Sequence, residues 1–108
     1  MINLRFSKNW NQKLCCDVFT TIRYKSPCKI GDIVSVKTKT SKSEIISYAQ
    51  ILNVESFFLK DIPECVFAFD MGMSKDSGIK EIAKIYSQYN IHEIKFDIIT
   101  MRHHFPNR

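Results

Sequence analysis

Apolar and polar positions alternate along most of this chain, and the alternation stops where proline, glycine or clustered polar residues interrupt it. Ile2-Asn3-Leu4-Arg5-Phe6 predicts a first strand with Ile2, Leu4 and Phe6 inward. Ser7 then suits a helix N-cap, with Trp10 and Leu14 four apart on one face of a short helix. Residues 18–24 are the most β-prone run. Val18, Thr20 and Ile22 take one face of it, and Phe19, Thr21 and Arg23 the other. Ser26-Pro27-Cys28 ends that strand, and Gly31-Asp32 turns the chain into a third over residues 33–38. There Val34 and Val36 point inward, with Ser35 and Lys37 on the opposite face. A polar hairpin loop over residues 38–43, with Lys39 and Lys42, leads into a long strand over 44–55. Apolar residues on both its faces predict cover on two sides.

The period then changes to a helical one. Asp61 is a good N-cap and Pro63 is tolerated in a first turn, so a short helix is expected over residues 62–69. Ser74 or Ser77 caps a longer helix reaching Tyr89, with Ile79, Ile82, Ala83, Tyr86 and Tyr89 on its buried face. Residues 92–101 form the last strand, with Ile94, Phe96, Ile98 and Thr100 on one side. No segment between the middle strands is long enough for a crossover helix, so the sheet must be mixed or antiparallel. The expected fold class is α+β: a small barrel of five to six strands with two to three covering helices. It forms a single domain over residues 1–102, followed by a tail over 103–108.

Length and composition narrow this further. At 108 residues and 44% hydrophobic, the chain can bury one core but not two. No apolar run approaches the ~20 residues of a membrane span, and the N-terminus lacks an extended signal-peptide core. A cytoplasmic location without a membrane partner is the expectation. The four cysteines include no CxxC pair, and Cys65 in its apolar context reads as a small core residue. His103-His104 has no companion ligands, so neither a metal nor a cofactor is expected. A net charge of +5 biases the surface toward polyanions without selecting one.

The candidate chemistry lies on the second strand. A guanidinium at Arg23 two positions from the Thr21 hydroxyl, beside Phe19, suits a polar cleft better than a dry core. Buried, Arg23 would require a partner. Thr21-Ile22-Arg23, the later Gly31-Asp32, a short helix ending Asp70-Met71, an amphipathic helix ending Ile85-Tyr86 and a closing Phe96-Asp97-Ile98-Ile99 together resemble the ASCH domains. These belong to the PUA-like superfamily of small barrels associated with RNA and modified nucleosides. The resemblance covers roughly residues 1–101 and is nearest to the compact single-domain type that hydrolyses the amide of N4-acetylcytidine.

That family's active site combines a lysine, a threonine three residues later and an acid at the end of the short helix. By position the threonine falls on Thr21 and the acid on Asp70, where the family usually has glutamate. The lysine position is Val18, which offers neither charge nor proton transfer. The resemblance therefore implies a cleft for RNA or a modified nucleoside that binds without catalysis. Arg23 would pair with an anion or a base edge, Thr21 would hydrogen-bond, Tyr24 or Phe19 would stack a base, Asp70 would accept from an exocyclic amine, and Lys25 and Lys37 would be further binding residues. One alternative is amide hydrolysis by Thr21 activated by Asp70 or a displaced lysine. Another is a purely structural Arg23–Asp70 pair. Oligomeric state is not encoded in any of these features.

Overall fold

The computed structural model describes residues 1–6, 13, 14, 16–39 and 43–105. The expected helix with Ser7 and Trp10, the Lys42 end of the hairpin loop and residues 106–108 lie outside that description. The strands are β1 Asn3–Phe6, β2 Val18–Arg23, β3 Ile33–Lys39, β4 Glu44–Phe58 and β5 Lys95–His103. A 3-10 turn at Leu59–Asp61 precedes α1 Glu64–Met71, and α2 Lys75–Ile85 follows. The sheet order is β1-β3-β4-β5-β2, with β1 parallel to β3 and the other pairs antiparallel. The fold is thus α+β, with a mixed five-stranded sheet curled into a half-barrel.

The curl brings the two edge strands, β1 and β2, toward each other. Side chains rather than a ladder bridge them. Arg23 Nη2 donates to the Arg5 carbonyl at 2.6 Å, and the rings of Phe6 and Phe19 meet edge-on at 6.2 Å. This seam is where the sequence-based barrel differs from the structure.

Alternation along β5 divides the interior in two. Ile99 and Met101 enter a core with Leu4, Phe6, Phe19, Val34, Val36 and Ile51. Phe96 and Ile98 turn to the opposite face and meet Phe67, Met71 and Ile82 of the helices. β4 has the expected two-sided apolar pattern, yet Ile45 and Ile46 are exposed. Its pairing with β5 begins only at Ala49, so the preceding residues form an arm flanked by β3 alone.

The helices begin and end differently from the sequence reading. Pro63, not Asp61, occupies the N-cap of α1, because Asp61 is taken up in the 3-10 turn. Cys65 is exposed rather than in the core, on the helix face that turns away from Phe67. Ser74 caps α2 by accepting from Ser77 N–H, as expected. The helix stops at Ile85, although Tyr86 and Tyr89 still pack beyond it against Tyr24. Gly72, at φ 67°, ends α1 in the left-handed region and donates to the Ala68 carbonyl, which fixes Asp70 and Met71 in the last turn. The two helices meet where Gly78 of α2 lies against the Phe67 ring, and a β-carbon at that position would clash with Cδ1.

Helix propensity alone would favour Gly78→Ala by about 1 kcal/mol. Phe67 is fully buried and cannot yield, so overpacking should dominate. The variant is expected to lose about 1–2 kcal/mol in urea denaturation. A stabilised variant would contradict this packing.

Candidate active site

Asp70 is the centre of the polar cluster. It is 2% exposed at the C-terminal turn of α1, where the helix dipole offers a carboxylate no support. Two donors converge on its Oδ1: Lys13 Nζ at 3.2 Å and Thr20 Oγ1 at 2.7 Å. Lys13 comes from the segment before β2 and is itself only 5% exposed. Burial raises the Asp70 pKa, while the Lys13 charge and the Thr20 hydrogen bond act against the rise. Burial likewise lowers the Lys13 pKa, against the pull of Asp70. Both groups are driven toward their neutral forms, so proton exchange between them is easier than between a free lysine and aspartate.

Arg23 does not supply the ion pair to Asp70 that one sequence reading placed there. Its Nε donates to Thr21 Oγ1 at 3.2 Å, its Nη2 to the Arg5 carbonyl, and its guanidinium lies 4.7 Å from the Phe6 ring centre. The cation is thus accommodated by a hydroxyl, a carbonyl and an aromatic face instead of an anion. Burial lowers its pKa, but a guanidinium keeps its charge at any physiological pH.

Thr21, Arg23 and Asp70 do line one cavity, together with Phe6, Lys13 and Tyr86, but it measures only about 130 Å³. Pockets for drug-sized ligands run to roughly 300–1,000 Å³, so a nucleoside has no room there. A second cavity of about 420 Å³ lies toward the Val18–Thr20 face of β2, beneath α1. Its lining includes Lys13, Thr20, Thr100, Glu55, Phe57 and Phe69. Thr20 and Thr100 both line the ligand-sized pocket, and Thr20, which reaches Asp70, lies one residue before the position the resemblance implied.

The other expected binding residues are scattered. Phe19 is 4% exposed, held between Phe6 and His103, and is a core residue instead of a base-stacking surface. Tyr24 packs into an aromatic group with Tyr86, Tyr89 and Phe96, and Lys25 Nζ sits 5.4 Å from its ring centre. Lys37 borders neither of the cavities at β2 and lies in a separate recess with Lys39.

Lys13 and Thr20 escaped the sequence reading. Lys13 is the single charge within residues 9–16, a faint signal, and it meets Asp70 across 57 positions of chain. Among the described residues, no group of three His, Cys, Asp or Glu side chains could hold a metal, and no helix is long and apolar enough to cross a membrane. No protein family, curated protein or solved structure matches the chain.

Proposed function

We propose that this chain hydrolyses an amide on a small planar ligand of nucleoside size, with N4-acetylcytidine as the representative substrate. The observation behind this reading is a lysine and a threonine hydroxyl that both line a 420 Å³ pocket and both donate to the buried Asp70 carboxylate, which itself lines the smaller cavity. It offsets the valine at the family's lysine position, because an amine reaches the carboxylate from Lys13 instead. In this reading Thr20 Oγ1 attacks the amide carbonyl and its proton passes to Asp70. The C–N bond breaks as the amine leaves with a proton from the Lys13–Asp70 pair. Water then cleaves the acyl-threonine ester, releasing the carboxylic acid and restoring the hydroxyl.

A binding module without chemistry is the second reading. Val18 and the Arg23-bound Thr21 favour it, since the family's own lysine and threonine positions are respectively empty of charge and already occupied. Acetate release from N4-acetylcytidine separates the two. Hydrolysis should fall about 10²-fold or more in Lys13→Met and Thr20→Val, the range of acid–base and nucleophilic assistance, while Thr21→Val stays active. Saturable binding by a wild type that releases no acetate selects the module. Neither binding nor turnover rejects both readings.

A further inference from the structure

Lys13 is placed in a way that neutralising Asp70 does not require. An amine whose only task is to balance a carboxylate can be sealed in with it. Lys13 is almost fully buried, yet it borders both the 130 Å³ cavity that contains Asp70 and the 420 Å³ pocket that does not. Its Nζ lies 3.2 Å from Asp70 Oδ1 and 5.2 Å from the centre of the Phe6 ring, beside a proton acceptor and an aromatic face. Thr20 Oγ1 donates to the same carboxylate oxygen at 2.7 Å, which holds that acceptor in place. Burial favours the neutral amine, with a smaller push from the Arg23 charge, and Asp70 acts against it. A neutral lysine amine at the wall of an apolar pocket is a nucleophile toward carbonyl carbon.

The lining of the larger pocket selects the class of carbonyl compound. Much of its wall is apolar, with Phe57, Val66, Phe69 and Ile98 among the side chains. Among the described residues Glu55 is its one carboxylate and Lys13 its one cation. Once the Lys13 amine is neutral, Glu55 leaves the pocket negative, which disfavours anionic carbonyl compounds such as keto acids. We infer that Lys13 captures neutral aldehydes, aromatic ones foremost, as a reversible imine in the 420 Å³ pocket. The Nζ lone pair attacks the carbonyl carbon, and Asp70 relays the first nitrogen proton to the carbonyl oxygen, giving the carbinolamine. The C–O bond then breaks as the nitrogen lone pair forms the C=N bond. The second nitrogen proton, again carried by Asp70, leaves with the hydroxyl as water. Both amine protons end in that water, and nothing is oxidised or reduced. Lys13 is the nucleophile here and Thr20 only steadies Asp70, so the capture stands whether or not the pocket hydrolyses amides.

Benzaldehyde with sodium cyanoborohydride, followed by peptide mass spectrometry, tests the inference, because reduction fixes an imine as a benzylamine on the lysine that formed it. In the wild type Lys13 should be trapped about 10²-fold faster than the exposed Lys80, the low end of acid–base assistance. Excess benzyl alcohol, which resembles the ring but has no carbonyl, should protect Lys13 and leave Lys80 unaffected. Glyoxylate, smaller but anionic, should favour Lys13 over Lys80 far less than benzaldehyde does. Glu55→Gln should raise that glyoxylate preference roughly threefold, the effect of removing one solvent-screened charge. Trapping at Lys13 no faster than at Lys80, or a preference that benzyl alcohol does not remove, overturns the inference. A glyoxylate preference equal to that for benzaldehyde overturns the assignment to neutral aldehydes. The first two measurements use the wild type alone, so no variant has to fold for them to decide. No amide is present, so failure here and failure to release acetate from N4-acetylcytidine are separate results.

Discussion

Lys13→Met should lower the unfolding free energy by about 2–4 kcal/mol, because it leaves the Asp70 carboxylate buried without its cation. Methionine keeps most of the apolar stem that fills the space, so the loss reports mainly on charge. The double variant Lys13→Met/Asp70→Leu should recover much of that loss, since an apolar pair often replaces a buried ion pair at little cost. The effect has a definite pH sign. Without Lys13 the folded-state pKa of Asp70 rises further above its unfolded value of about 3.9. A group raised in this way stabilises fully below the unfolded pKa, and its contribution disappears as pH rises through the folded pKa. The deficit of Lys13→Met relative to wild type should therefore shrink as pH falls from 7 toward 4. Urea denaturation at several pH values measures both effects. A pH-independent deficit, or a double variant no better than the single one, would mean that the pair does not govern this region.

Arg23→Met should cost about 2–3 kcal/mol, from two hydrogen bonds of a charged donor and the stacking on Phe6. The location of the damage is as informative as its size. Hydrogen exchange should accelerate at β1 and along its pairing with β3, while amides shared by β4 and β5 keep their protection. Arg23→Lys should rescue little, because an ammonium cannot reach the Thr21 hydroxyl and the Arg5 carbonyl in fixed, divergent directions. Uniform loss of protection across the sheet would show that the guanidinium is not a local clasp between edge strands.

The strands were legible because a half-buried strand must alternate, and β1, β2 and β3 do so. The Ser74 cap was legible for a similarly local reason. Features that depend on distant neighbours were not. Apolar residues at both faces of β4 looked like burial on two sides, but the length of β5 decides which of them are covered. Cys65 looked apolar by context, yet helix phase places it outward. Asp70 stood out at the end of a helix, whereas its lysine partner lies in a stretch with no period to anchor it. Thr20 and Thr21 differ only in which face of β2 they occupy, so the sequence could not reveal which one borders the larger cavity.

The sheet order has a consequence for synthesis on the ribosome. β2 emerges early, but among the described residues its ladder partner is β5, which follows every other strand of the sheet. More than seventy residues must be translated before the amide groups of Val18–Arg23 can pair. During that interval β1, β3 and β4 can assemble, while β2 remains an unpaired, β-prone segment. Nascent chains halted before residue 95 should thus be vulnerable to association through β2, and extension past β5 should remove that vulnerability.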